Sequence, residues 1–176
     1  MNKNYMAAIA LSALFTGVTI SAVAADDLAP YGTAKVDMHK YPAINRVYDV
    51  NYDDPKWLNS LVGFIKNVNT LVPGKAVVVL HGTEIRAFAK ENYEKYQGVV
   101  DKLAELSKEG VDIRMCNNAM HAAGFNAEDI HGFVTIIPAG FAEVIDLQHQ
   151  GYAVIDATAT MVKDSRYLDH PKVPKS

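Results

Sequence analysis

Between Pro73-Gly74 and His81-Gly82 the chain carries an unbroken apolar run, Ala76-Val-Val-Val-Leu80. Apolar side chains at every position of a strand need cover on both faces, which a parallel sheet between two helical layers provides. The flanking pattern agrees. Ile44 to Val50 reads as a first strand, and Asp54-Pro55 supplies an N-cap followed by proline at the first helical position. Trp57, Leu58, Leu61, Val62, Ile65, Val68 and Leu71 then recur at helical spacing with one buried face. Tyr93, Tyr96, Val99, Val100, Leu103 and Leu106 mark a second helix, closed by Gly110. Val111 to Met115 is a strand ending at Cys116, and a short helix is predicted over about Ala119 to Phe125. Phe133 to Ile137 is a fourth strand, broken by Pro138-Ala139-Gly140. Phe141 to Gln150 forms a helix with Phe141, Val144, Ile145 and Leu147 inward, and Tyr152 to Ile155 is the fifth strand. The expected fold is three-layer α/β/α around a mainly parallel five-stranded sheet.

The ends of the chain read differently. Met6 to Ile20 is almost wholly apolar and uncharged, and Ala22-Val23-Ala24 is a small-x-small cleavage pattern followed by Asp26-Asp27. The run is too short for a comfortable membrane span, so residues 1–24 read as a secretory signal peptide, the alternative being an uncleaved anchor. Residues 25–43 form an arm, 44–156 the folded domain, and 157–176 a polar C-terminal tail. The expected product is a soluble exported protein, periplasmic in a Gram-negative source, with no membrane span once the leader is removed.

Composition removes several function classes. Lysine and arginine number 17 against 20 acidic residues, a net charge of −3, and no basic run offers a face to nucleic acid. One cysteine excludes an intramolecular disulfide, a CxxC pair and a multi-cysteine zinc site. No GxGxxG follows a strand, and neither a P-loop lysine nor a GxSxG elbow is present. The acidic loop Asn51-Tyr52-Asp53-Asp54 would repel a flavin phosphate, so no cofactor is expected. His121 and His131 flank the short helix, but without HxxxH or HExxH spacing no metal site is expected either.

Chemistry in open α/β sheets gathers beyond the carboxyl ends of the strands, at a topological switch point. Those ends carry Asn51-Tyr52-Asp53, His81-Gly82-Thr83, Cys116-Asn117-Asn118 and Pro138-Ala139-Gly140. A strand order of 2-1-3-4-5 would set Cys116 opposite the Asn51 to Asp53 loop. Cys116 precedes a helix, whose N-terminus favours an anion and with it the thiolate that attacks sulfane sulfur. It reads equally as a small buried residue finishing a strand. His81 could polarise a bound anion or take a thiol's proton, or it could be a polar strand-end residue.

The run Val77 to Gly82, the helix ending Leu103-Ala-Glu-Leu-Ser-Lys-Glu-Gly110, and Val111-Asp-Ile-Arg-Met-Cys116-Asn117-Asn118 resemble the DsrE/DsrF-like family. Glu128-Asp129-Ile130 and Val134 to Tyr152 continue the likeness, which covers about Ile44 to Ile155. The resemblance implies trimers or hexamers, and for some relatives a persulfide carried on a strand-end cysteine, which Cys116 matches. His81-Gly82 and Pro138-Ala139-Gly140 match loops around the same pocket. The basic residue often found shortly after that cysteine is missing, since Met120-His121-Ala122-Ala123-Gly124 occupies the stretch. An exported chain also cannot share the partners of cytoplasmic tRNA-thiolation relays. The expected site is therefore Cys116 and His81 as reactive groups, with Asn51, Gly82, Asn117, Asn118, Pro138 and Gly140 binding the ligand. A sulfur donor or acceptor thiol would be the partner. The alternative is a non-catalytic oligomeric module that binds a small ligand or a protein, with Cys116 structural.

Overall fold

The computed structural model describes residues 34–158, so the expected signal peptide and nearly all of the expected tail lie outside the described residues. Residues 34–43 have no regular structure and are exposed. The sheet strands are β1 (Arg46–Val50), β2 (Ala76–Leu80), β3 (Asp112–Cys116), β4 (Val134–Ile137) and β5 (Ala153–Asp156). The helices are α1 (Leu58–Leu71), α2 (Tyr93–Lys108), α3 (Asn117–Ala122) and α4 (Gly140–His149). All strand pairs are parallel, in the order β4-β3-β2-β1-β5. The expected order 2-1-3-4-5 is thus corrected: β2 lies between β1 and β3, and β5 returns to pair with β1.

Every residue of β2 is buried, as its apolar run requires. Alternate side chains of the sheet divide between two cores. Tyr48, Val50, Val78, Leu80, Ile113 and Met115 face α1, α2 and α3, where they meet Leu61, Ile65, Leu103, Leu106 and Met120. Val47, Val77 and Val79 face the other way and meet only Val144 and Leu147 of α4, with Tyr152 at the margin. Among the described residues the second layer is therefore one helix wide, and α4 covers β1, β2 and β5. This narrow contact corrects the expected inward face of α4. Val144 and Leu147 are buried, but Phe141 and Ile145 are 65% and 67% exposed. On α1, Leu58, Leu61, Val62 and Ile65 are buried, whereas Leu71, expected inward, is exposed at the end of the helix.

Local signals act as expected at the α1 entry, where the Asp54 carboxylate accepts the Lys56 amide at 2.8 Å and Pro55 opens a 3-10 turn. Gly74 has φ of +123° after α1, and a Cβ there would sit 2.7 Å from the Ile44 carbonyl carbon. α3 starts two residues earlier than expected, directly at Asn117. A 3-10 segment, Thr83–Phe88, was not anticipated; it buries Glu84, Ile85, Ala87 and Phe88 beside the carboxyl end of the sheet.

Candidate functional site

The loops leaving β1 and β2 are sewn together before any ligand is considered. The His81 amide donates to the Val50 carbonyl at 3.1 Å, and the Thr83 amide to the Tyr52 carbonyl at 2.7 Å. Glu84 completes the seam. One carboxylate oxygen accepts the Tyr52 amide at 2.8 Å and the other the Gly82 amide at 2.9 Å, in a side chain with no exposed surface. Burial pushes the Glu84 carboxyl up to about 7, against the pull of those amides and of nearby His81. Gly82 must be glycine here, because a Cβ would lie 2.6 Å from the Tyr52 carbonyl oxygen.

Above this seam opens a cleft of about 460 Å³, walled by the two loops, by Ile85 and Arg86, by Ala119 and Ala122 of α3 and by Ala123 just after it. Of the expected ligand-binding residues, Asn51 and Gly82 line it, as does His81; Cys116, Asn117, Asn118, Pro138 and Gly140 do not. These five sit at the adjoining ends of β3 and β4. His81 belongs to both groups. It lines the cleft, and its ring also packs against Gly140 and lies 4.6 Å from the Phe141 ring.

Cys116 is 6% exposed and caps α3, its Sγ accepting the Ala119 amide at 3.5 Å. The β2–β3 register pairs Leu80 with Met115, so His81 and Cys116 follow side by side where the two strands end. Because β2 separates β1 from β3, Cys116 does not face the Asn51 to Asp53 loop as expected; its neighbour is His81. On the β1 side, His81 Nε2 meets Asp49 Oδ1 at 2.6 Å. The sequence reading missed Asp49 and Glu84, as it did the cleft-wall residue Arg86. Asp49 did leave a signal, a lone acid within the apolar strand Val47-Tyr48-Asp49-Val50.

The two histidines that flank α3 are engaged apart from each other. His121 Nδ1 is 3.2 Å from the Phe125 carbonyl oxygen. His131 stacks over Phe133 and lies edge-on to Tyr93, and burial together with Lys90 lowers its pKa. Among the described residues no three His, Cys, Asp or Glu side chains converge on a point that a metal could occupy. Arg114 bridges the layers, donating to Asp112 at 2.6 Å and pairing with Glu143 of α4.

Taken together, these features define a three-layer α/β protein with a small polar cleft and a lone thiol at the carboxyl edge of its sheet. The DsrE/DsrF-like family matches residues 60–157, more than half of the chain. The protein belongs to that family, as the resemblance in its motifs implied. Its fold is similar to that of MTH1491 from Methanobacterium thermoautotrophicum, a protein of unknown function. The TM-score is 0.52 at 20% identity, over 66% of this chain and 99% of that one. No curated protein matches the sequence.

Proposed function

We propose that the protein is an exported, periplasmic sulfur carrier that holds sulfane sulfur as a persulfide on Cys116. The Cys116 thiolate attacks the outer sulfur of a small persulfide, R–S–SH. The new bond joins the Cys116 sulfur to that atom, the S–S bond of the donor breaks, and the thiol RSH leaves with the electron pair and one proton. The reverse step on an acceptor thiol passes the sulfur on. No oxidant and no metal enter the balance.

The observation that carries this reading is the setting of Cys116. Its sulfur accepts the Ala119 amide, a contact that would hold a thiolate as well as a thiol, and His81 stands beside it on the next strand. Exposure of 6% favours a small donor over a folded one. Self-association belongs to the same reading, supported by Phe141 and Ile145, which stand side by side and exposed on α4. Sedimentation of Ile145→Lys against wild type tests that part.

One observation favours a second reading: the cleft is lined by His81 and Gly82 but not by Cys116. A module that binds a small ligand in the cleft would need Cys116 only for packing. Intact mass of the purified protein before and after persulfide treatment, with a reductant-reversal control, separates the two. A reducible gain of sulfur that Cys116→Ser abolishes without unfolding supports the carrier. A native thiol that takes no sulfur and resists alkylation rejects it in favour of the module.

A further inference from the structure

Asp49, His81 and Cys116 come from three adjacent strands, β1, β2 and β3, and stand on the same side of the sheet. Asp49 lies on the α4 side because it is two residues from Val47, which packs there. Cys116 lies there because it is two residues from Arg114, which pairs with Glu143 of α4. His81 lies there because its ring touches Gly140 and Phe141. An ionised aspartate only accepts hydrogen bonds, so the 2.6 Å contact puts the proton of a neutral His81 ring on Nε2. The Cδ2 edge of the ring lies against Gly140. Nδ1 is therefore on the opposite edge, away from α4, and makes no hydrogen bond among the described residues. A carboxylate that fixes a histidine tautomer leaves the other nitrogen as the base.

We propose that Asp49 is a positioning residue that holds His81 with Nδ1 free to carry the proton of the Cys116 reaction. This rests on the carrier reading above. His81 Nδ1 takes the proton from the Cys116 thiol, the thiolate accepts the outer sulfur of R–S–SH, and the imidazolium returns the proton to the departing RS⁻. Atoms, electrons and protons balance, and the ring ends as it began. The titratable groups around it are Asp49 from β1, with Asp156 of β5 beside that carboxylate, and Glu84 from the loop after β2, while Cys116 is its neighbour on β3 by strand register. From α4 it meets only Gly140 and Phe141.

Two readouts on Asp49→Asn and Asp49→Glu test the assignment, since asparagine keeps the volume of aspartate but can meet either ring tautomer. The first is the nitrogen-15 spectrum of the His81 ring. Wild type and Asp49→Glu should show the Nε2–H tautomer, and Asp49→Asn a substantial Nδ1–H population. The second is the rate at which glutathione persulfide adds sulfur to Cys116, read by intact mass. Asp49→Asn and His81→Gln should load about a hundredfold more slowly, the low end for loss of a general base, with Asp49→Glu recovering most of the rate. An Asp49→Asn protein that loads at the wild-type rate, or keeps the Nε2–H tautomer, overturns the positioning role. A wild-type protein that takes no sulfur overturns the carrier reading and the proton transfer together, while the ring spectrum still reports on Asp49 separately.

Discussion

Gly140 and His81 are packed so closely that no side chain fits between them. A Cβ on Gly140 would fall 2.7 Å from the His81 Cβ and 2.9 Å from its Cγ. Gly140→Ala must therefore push the ring away from α4 or shift the helix start, at a cost of about 1–3 kcal/mol for overpacking. Urea denaturation should register that loss, and the His81 ring resonances should move with it. A variant with wild-type stability and unmoved ring signals would show that the contact is slack.

Glu84 makes stability depend on pH in a direction opposite to that of an ordinary salt-bridged acid. Its folded value, about 7, lies above the ordinary 4.5, so the folded chain binds more protons than the unfolded chain between those values. The contribution is complete below pH 4.5 and is lost as pH rises through 7. The difference of 2.5 pH units corresponds to about 3 kcal/mol. Glu84→Gln should remove that slope. Chemical denaturation at pH 5, 6, 7 and 8 should show the wild-type advantage shrinking as pH rises; parallel curves would rule out the linkage.

The two apolar pairs on α4 should behave as opposites. Leu147→Ala opens a cavity in the thin second core and should cost about 2–5 kcal/mol, while Phe141→Ser and Ile145→Ser should each stay within about 0.5 kcal/mol in the monomer. Thermal melts at low protein concentration make the comparison. A large loss from Ile145→Ser under those conditions would mean that the side chain is covered within the monomer.

Gly74→Ala should be among the most damaging changes outside the site. It combines a backbone at φ of +123° with a collision against Ile44, and it loosens the turn that leads into β2. A cost of about 2 kcal/mol or more is expected. Equilibrium unfolding of the variant beside Gly63→Ala, whose Cβ would meet nothing within 4 Å, isolates the effect.

Elements governed by a local rule were legible in the sequence. β2 emerges with the expected bounds because five apolar residues between turn signals leave no other register. The α1 entry follows from Asp54-Pro55, and the α2 exit from Gly110. What was not legible depends on partners far along the chain. Strand order leaves no periodic trace, so the neighbour of Cys116 was misassigned. Phe141 and Ile145 have the right spacing for a core, but one helix over three strands buries a narrower stripe than the pattern offers. Glu84 looks like a surface acid until the Tyr52 and Gly82 amides are found on its oxygens. Within the site, the strand-end residues were identifiable as a set; the split between cleft and thiol, and the Asp49 contact, required the fold.

The return of β5 to pair with β1 has a consequence for the order in which the molecule can be completed. Arg46 aligns with Ala153, so one of the first strands to be synthesised waits for the last before its second edge is closed. Until then β1 offers a row of bare amides and carbonyls, a template for any extended chain nearby. A nascent or clipped chain that stops at Gly151 holds four of the five strands and keeps that edge open. Its hazard is aggregation, and what guards against it in the finished protein is a strand of four residues.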